Sequence, residues 1–208
     1  MKHIHSYYSP NDLYNRIIQA LDEIGKDPSK VTLDDLQPVD EFHIRGNVAT
    51  RELIELAGFT PEMHILDVGC GWGLAGIYCA KKYNAVVTGI DIDPDVFPYL
   101  RLHSEINKVK IATMKRGFGG FTGNDLKNFD VLIGADICFW DKLVRSLKRL
   151  INRALKTGPR MVLIADPGRP TFNELAEYFT EKRGAKILDW TVQRPRRIQG
   201  RILKVGSL

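Results

Sequence analysis

The sequence predicts an α/β fold built on a doubly wound, mostly parallel, seven-stranded sheet with an antiparallel last strand and an N-terminal helical extension. From residue 65 onward, short apolar runs alternate with helical patterns, which is typical of parallel strands joined by helices on both faces of a sheet. The last two strand patterns, residues 188–192 and 200–205, are joined by a short connection without a helical pattern. Such a connection predicts an antiparallel final pair.

The strands and helices are predicted in order along the chain. The five earlier strands are predicted at residues 65–68, 85–90, 108–114, 130–135 and 160–165. Residues 142–155 predict an amphipathic helix, because leucines at helical spacing form one face and basic residues the other. Residues 171–174, Thr-Phe-Asn-Glu, predict a capping box at the start of the next helix, and Gly184 predicts its end. The glycine-rich residues 117–123 predict a flexible loop.

Residues 1–60 are predicted to form an N-terminal extension rather than a domain. They carry short helical patterns, interrupted by Gly25 and by a polar-aromatic loop at residues 40–47. These patterns offer too little apolar surface for a separate core. We therefore expect the extension to pack on a single ligand-binding domain formed by residues 61–208.

Composition places the chain among ordinary globular proteins, with 44% hydrophobic and 26% charged residues. No apolar run reaches about 18 residues and no signal-peptide core follows Met1, so neither a membrane span nor secretion is expected. Cys70, Cys79 and Cys138 lack the spacing of a metal site or a disulfide framework. A cytoplasmic protein without a bound metal is therefore expected. The net charge of +5 weakly favours an acidic partner, and no pattern indicates an oligomeric state.

A glycine-rich turn follows the first predicted strand and indicates a cofactor site. Gly69, Gly71 and Gly73 alternate along it and allow sharp turns and a close approach of the backbone to a ligand. The helix that follows presents unpaired N–H groups at its start. Asp91 ends the second strand about twenty residues later, where an acidic side chain binds ribose hydroxyls. The pattern predicts a site for a nucleoside cofactor.

Two kinds of cofactor fit this pattern. Residues 71–76 have the Gly-x-Gly-x-x-Gly spacing of a dinucleotide site, which predicts an NAD-type oxidoreductase. Against it, Asp67 precedes Gly69 at the strand end, where a carboxylate would repel a pyrophosphate but suits a cofactor with ammonium and sulfonium groups. A third hypothesis, a non-catalytic cofactor-binding or RNA-associated protein, rests on the basic residues 194–197.

Residues 66–73, Leu-Asp-Val-Gly-Cys-Gly-Trp-Gly, together with Asp91, resemble motif I and the following acidic position of class I S-adenosylmethionine-dependent methyltransferases. Residues 136–141 are similar to the Asp-x-x-Phe/Tyr element of the seven-strand protein-lysine methyltransferases and their nicotinamide N-methyltransferase-like relatives. The resemblance spans residues 60–208 and implies a Rossmann-like methyltransferase fold with S-adenosyl-L-methionine as cofactor. It implies a nitrogen acceptor, with protein lysine ahead of a small amine and nucleic acid less favoured.

The resemblance also implies roles for individual residues. The residues implied for the methionine portion are Asp67, Gly69, Cys70, Gly71 and Gly73, those for the ribose and adenine are Asp91, Ile92 and Phe118, and Asp136 lies at the cofactor's ammonium or in the acceptor pocket. The predicted catalytic residues are Asp136, Asp166 and Phe139. Either carboxylate is expected to orient an acceptor amine or to receive its proton through water.

Overall fold

The computed structural model describes residues 58–192 and 198–208, together with Glu23 and Gly25. The helices predicted within residues 1–57 and the basic residues 194–197 therefore lie outside the described part of the chain. The extension and its packing on the core stay predictions.

Seven strands form one sheet in the described ranges. They are β1 (His64–Val68), β2 (Val86–Asp91), β3 (Ile111–Lys115), β4 (Val131–Ala135), β5 (Met161–Asp166), β6 (Lys186–Val192) and β7 (Ile198–Gly206). Their order in the sheet is β3-β2-β1-β4-β5-β7-β6. The pairs among β1 to β5 are parallel, whereas β7 runs antiparallel to both β5 and β6. The predicted fold, including the antiparallel last strand, is confirmed.

Five α-helices connect these strands. They are α1 (Leu74–Tyr83), α2 (Phe97–Ile106), α3 (Gly123–Leu126), α4 (Asp141–Thr157) and α5 (Pro170–Arg183), with short 3₁₀ turns at Pro94–Val96 and Phe118–Gly120. Helix α4 is the predicted amphipathic helix and is one residue longer at its start and two at its end. Across the described residues, no helix has the length and apolar character needed to cross a bilayer.

The two faces of the sheet bury separate apolar clusters. Side chains alternate along β1, so Leu66 and Val68 pack on one face with α4 and α5, while Ile65 packs on the other with α1. This alternation explains why the strands read as nearly continuous apolar runs, since a sheet covered on both faces has no solvent side. Both clusters hold the carboxyl ends of the strands in place.

The strand order reverses between β1 and β4. From β1 the chain moves outward through β2 to β3, then returns to β4 and continues in the opposite direction. Helices therefore leave the adjacent strands β1 and β4 towards opposite faces of the sheet and open a crevice at their carboxyl ends. The turn after β1 and the segment after β4 border this crevice.

Two local predictions were wrong. Helix α5 begins at Pro170 without a side-chain cap, because proline suits the first turn of a helix and sets the start one residue before Thr171. The Thr171 hydroxyl instead donates a hydrogen bond to the Cys138 carbonyl and ties α5 to the segment after β4. The predicted end of this helix at Gly184 is confirmed by its left-handed φ of 62°.

The glycine-rich residues 117–123 form a packed segment, contrary to the predicted flexible loop. Phe118 and Phe121 are buried in the core cluster beside α4. The Thr122 hydroxyl accepts a hydrogen bond from the N–H of Asp125, and the Asp125 carboxylate accepts one from the N–H of Thr122, which together form a capping box. Burial of the two aromatic rings holds the segment in place despite the conformational freedom of the glycines between them.

Candidate active site

The turn after β1 depends on glycine at each alternate position. Gly69, Gly71 and Gly73 have φ values of 66°, 50° and 86°, a left-handed conformation that glycine adopts without steric cost. A methyl group at Gly69 would lie 2.7 Å from Cγ2 of Ile137, whereas the space beside Gly71 is open to at least 4 Å. The turn therefore presses against the segment after β4 at one end and leaves a bare stretch of backbone at Gly71.

Asp91 closes the turn from the end of β2. Its Oδ2 accepts a hydrogen bond from the Gly71 N–H at 3.2 Å and its Oδ1 accepts one from Asp93 at 3.0 Å. Burial raises the pKa of Asp91, against the lowering effect of these hydrogen bonds. A carboxylate has about four acceptor positions, so Asp91 can still accept a hydrogen bond from a diol beside Gly71.

Asp67 is buried and points into the start of α1. Its Oδ2 accepts a hydrogen bond from the Gly76 N–H at 3.1 Å, a position where a carboxylate also benefits from the helix dipole. This contact joins β1 to α1 within the core. A direct contact between Asp67 and the methionine portion of a cofactor stays a prediction.

The backbone of Cys70 forms two hydrogen bonds that hold the turn. Its N–H donates to the Ile90 carbonyl at 2.9 Å, and its carbonyl accepts from Gly73 at 2.8 Å. The side chain is buried against Gly89, and this burial raises the pKa of the thiol far above its usual range. The Cys70 thiol is therefore a packing group, and its backbone shapes the turn.

The two residues predicted to border an adenine differ in burial, since Ile92 is exposed and Phe118 is buried. Ile92 follows Asp91 and is 73% exposed, with its Cδ1 beside Gly117. Phe118 is buried, and its ring edge lies beneath Gly69. Ile92 therefore offers an exposed apolar surface next to the carboxylate of Asp91, while Phe118 supports the turn from inside.

One guanidinium joins the two carboxylates that follow β4 and β5. The Arg169 Nη1 atom pairs with Oδ1 of Asp136 and lies 2.8 Å from Oδ2 of Asp166. Burial alone would lower the pKa of Arg169, but the two carboxylates outweigh it and raise this pKa. Arg169 was not among the predicted site residues, and its bridge between two carboxylates has no signature in the sequence beyond the Asp-Pro-Gly-Arg run at residues 166–169.

The two bridged carboxylates differ in accessibility. Asp166 is 2% exposed, and its Oδ1 accepts hydrogen bonds from the N–H groups of Gly168 at 2.9 Å and Arg169 at 2.8 Å. These contacts make Asp166 an anchor of its own loop. The side chain of Asp136 keeps 15% of its surface exposed, and its backbone has the left-handed φ of 58° that few non-glycine residues adopt.

Two aromatic side chains lie at the mouth of the crevice. Phe139 is 47% exposed and Trp140 is 60% exposed, and their ring centroids are 5.6 Å apart. The Arg169 guanidinium carbon lies 4.3 Å from the centroid of Phe139. The predicted site residues Asp136 and Phe139 are thus brought together around Arg169, and Trp140 extends their apolar surface.

Residues 65–158 match a family model described as a methyltransferase domain. Over these residues the chain is similar to class I S-adenosylmethionine-dependent methyltransferase domains. This match decides between the two interpretations of the glycine turn in favour of S-adenosylmethionine. The sheet order and the glycine turn described above agree with it.

Relatives of this methyltransferase domain include two enzymes with amine-bearing acceptors in their names. Phosphoethanolamine N-methyltransferase of Triticum aestivum is 30% identical over 141 residues, covering 66% of this chain and 27% of that protein. The electron transfer flavoprotein beta subunit lysine methyltransferase of Danio rerio is 25% identical over 129 residues, covering 62% and 49% respectively. The chain thus spans half or less of the length of these relatives.

A solved structure shows the same fold. Precorrin-6y C5,15-methyltransferase from Geobacter metallireducens superposes with a TM-score of 0.62 over 81% of this chain and 92% of that one, at 12% identity. At this identity the likeness concerns the arrangement of strands and helices alone.

The residues at the crevice fit S-adenosylmethionine. The open space at Gly71 leaves room for a ligand against bare backbone, and the Asp91 carboxylate beside it suits the ribose hydroxyls. Exposed Ile92 offers an apolar surface to an adenine on the same side. These three residues would hold the nucleoside part of the cofactor.

Proposed function

We propose that the protein transfers the methyl group of S-adenosylmethionine to an amine nitrogen, with protein lysine favoured over a small amine. One contact carries the proposal: Gly69 of the glycine turn lies against Ile137 in the segment after β4. Ile137 directly follows Asp136 and precedes Phe139 by two positions. The cofactor turn and the candidate acceptor residues therefore meet at the point where the strand order reverses.

The chemistry requires positioning more than activation. When bound, S-adenosylmethionine supplies a methyl group on a positively charged sulfur, which is already activated for displacement. The protein must therefore hold the acceptor nitrogen in line with that methyl group and exclude competing nucleophiles. Gly71 and Asp91 would hold the cofactor, so that the acceptor enters from the side of Asp136.

Asp136 and Phe139 supply the acceptor side. Asp136 is the carboxylate with exposed surface, and it can orient an amine by a charge-assisted hydrogen bond. The exposed rings of Phe139 and Trp140 can pack against the aliphatic stem of a lysine-like side chain. Such an amine has a reference pKa of about 10.4 and loses its proton before attack. The exposed mouth gives that proton a route to water.

The relatives support an amine acceptor. The names of the two curated relatives specify phosphoethanolamine and lysine, and both molecules carry a primary amino group. Phe139 and Trp140 lie open at the protein surface, which suits a side chain presented by another protein better than a fully enclosed small molecule. We therefore place lysine first.

A labelling experiment tests the proposal. The protein is incubated with methyl-labelled S-adenosylmethionine and a lysate of the source organism, and precipitated protein is separated from small molecules. We expect label in the protein fraction, recovered as methyllysine after hydrolysis. Label in small amines alone would replace lysine by a small acceptor, and no transfer to either fraction would overturn the proposal.

Two aspartate variants provide the matched control. Asp91→Ala removes the carboxylate that contacts Gly71 and should strongly reduce labelling at S-adenosylmethionine concentrations that do not saturate the variant. Asp95→Ala removes an exposed carboxylate from the neighbouring 3₁₀ turn and should leave labelling unchanged. If wild type and Asp91→Ala label equally, the methyl transfer would come from a contaminating enzyme and not from this protein.

A further inference from the structure

Arg169 contacts both of the side chains proposed for the acceptor, Asp136 and Phe139. Its guanidinium pairs with the Asp136 carboxylate and lies 4.3 Å from the centroid of the Phe139 ring. A carboxylate and an aromatic face are the two groups that bind an ammonium ion in proteins. In this structure an arginine of the chain itself fills both positions.

Arg169 can leave Asp136 and still be held in its loop. Its backbone N–H and its Nη1 atom both bond to Asp166 at 2.8 Å, and Asp166 is buried and bound to Gly168 as well. The Arg169 side chain keeps 24% of its surface exposed, so it lies at the mouth of the crevice rather than in the core. Asp166 therefore tethers Arg169 whether or not Asp136 is paired.

We propose that Arg169 is a specificity-determining residue that acts as an internal competitor of the cationic acceptor for Asp136 and Phe139. This inference rests on the proposed function, because it concerns the acceptor side of the same site. A protonated amine needs an ion pair with Asp136 and must displace the Arg169 guanidinium to form it. A neutral amine needs no ion pair and can bind while Arg169 stays on Asp136. Arg169 thus favours the neutral form, which is the form with a free lone pair.

The same competition acts on the product. As the nitrogen–carbon bond forms and the sulfur–carbon bond breaks, the amine gains a methyl group and becomes an ammonium ion, while the cofactor becomes a neutral thioether. A return of Arg169 to Asp136 and Phe139 would displace this new cation. A guanidinium poised beside the acceptor therefore assists product release.

A purely structural role predicts a different outcome. An arginine that only closed the loop between Asp166 and Pro170 would stabilise the fold without affecting the binding of amines. The two roles are therefore separated by measuring the affinity for a cation, with protein stability recorded alongside.

The test measures binding of n-butylammonium, a mimic of the lysine side chain, by ligand-observed NMR at pH 8. This pH lies below the amine pKa of about 10.4, so the probe is charged. We expect Arg169→Met to bind n-butylammonium about tenfold more tightly than wild type, because the charge-assisted contact to Asp136 becomes available. Neutral n-butanol should bind the two proteins equally, because it does not compete for the ion pair.

Arg201→Met, on the neighbouring strand β7, is the matched control. Arg201 bonds to Asp189 at 3.0 Å and to Asn173 at 2.9 Å, on the strand beside β5. Its removal should leave n-butylammonium affinity unchanged. An equal gain in Arg201→Met, or no gain in Arg169→Met, would overturn the inference.

Arg169→Gln covers the case in which Arg169→Met fails to fold. A glutamine amide can still donate to Asp166, but it brings no positive charge to Asp136. We expect this variant also to bind n-butylammonium more tightly than wild type, and unchanged affinity in the folded variant would contradict the role of Arg169. The binding assay needs no methyl transfer, so failure of the labelling experiment overturns the proposed function without deciding this result.

Discussion

The N–H of Gly71 donates a hydrogen bond to the carboxylate of Asp91 at 3.2 Å. This bond joins the glycine turn after β1 to the end of β2, across two neighbouring parallel strands. It sets the carboxylate beside the open backbone at Gly71, where the ribose of S-adenosylmethionine is expected to bind.

The first prediction concerns cofactor affinity. Replacing Asp91 by alanine removes hydrogen bonds between a charged group and the ribose, so we expect the dissociation constant for S-adenosylmethionine to rise by about tenfold to a hundredfold. Isothermal titration calorimetry measures this change. Asp95→Ala should bind as wild type does, and an unchanged dissociation constant in Asp91→Ala would remove Asp91 from the ribose site.

The second prediction concerns the pH dependence of stability. Burial raises the pKa of Asp91 above its ordinary value of 3.8, so the folded state binds a proton more tightly there than the unfolded state does. The ionised carboxylate therefore destabilises the cofactor-free protein at pH values above the raised pKa, and this cost disappears as the pH falls below 3.8.

Asparagine removes the ionisation but places an amide N–H against one of the two backbone donors, which adds a cost that is the same at every pH. We therefore expect the melting temperature of wild type relative to that of Asp91→Asn, both without cofactor, to rise as the pH is lowered from 7 through the raised pKa, and thermal unfolding followed by circular dichroism at several pH values measures it. A difference that is constant with pH would show that the ionisation of Asp91 is not its cause.

The third prediction concerns the contact between the turn and the segment after β4. Gly69→Ala forces a methyl group into left-handed backbone, 2.7 Å from Ile137 Cγ2, so we expect the free energy of unfolding to fall by about 2 kcal/mol. Chemical denaturation measures the change. Gly119→Ala, at a site with nothing within 4 Å, is the control and should be close to neutral.

A double variant separates the clash from the backbone strain. Ile137→Ala removes the atom that the new methyl group meets, so Gly69→Ala should cost less in that background than in wild type. Strict additivity of the two single changes would show that only the left-handed φ of Gly69 matters.

The fourth prediction separates the two bridged carboxylates. Asp166→Asn removes the negative charge that pairs with Arg169 and places an amide N–H against one of the donors of this buried loop. We therefore expect the free energy of unfolding to fall by about 2 kcal/mol. Asp136→Asn should lower this free energy less than Asp166→Asn does, because Arg169 keeps its bonds to Asp166, but should reduce methyl transfer to the acceptor found by labelling. Urea denaturation and initial rates measure the two effects, and the opposite pattern would exchange the roles of the anchor and the acceptor residue.

Much of the cofactor side could be predicted from local sequence. Gly69, Gly71 and Gly73 are needed because of their own φ values, and Asp91 is placed by the length of the helix and strand that precede it. The contact of Asp67 with the methionine portion stays a prediction, and one oxygen of its carboxylate accepts a hydrogen bond from Gly76 in the core. Strand-end position alone does not tell which way a side chain turns.

The acceptor side depended on contacts between distant segments. Arg169 meets Asp136 because β4 and β5 are neighbours in the sheet, and the pairing of their ends is not encoded by any short motif. The capping box at Thr171 was wrong for a local reason, because Pro170 starts the helix, and the Thr171 hydroxyl then bonds to Cys138, a residue distant in sequence. Phe118 and Phe121 likewise pack a segment whose glycines predicted a flexible loop.

The sequence by itself determined the strand and helix order, the glycine turn and the acid at the end of β2, because periodicity, backbone φ and spacing are local properties of the chain. Only the tertiary structure decided which carboxylate keeps an exposed surface and which is an anchor. Asp136 and Asp166 both lie at the carboxyl end of a strand and both pair with Arg169, but Asp166 is 2% exposed and also accepts hydrogen bonds from the N–H groups of Gly168 and Arg169. Arg169 reaches Asp136 because β4 and β5 are neighbours in the sheet.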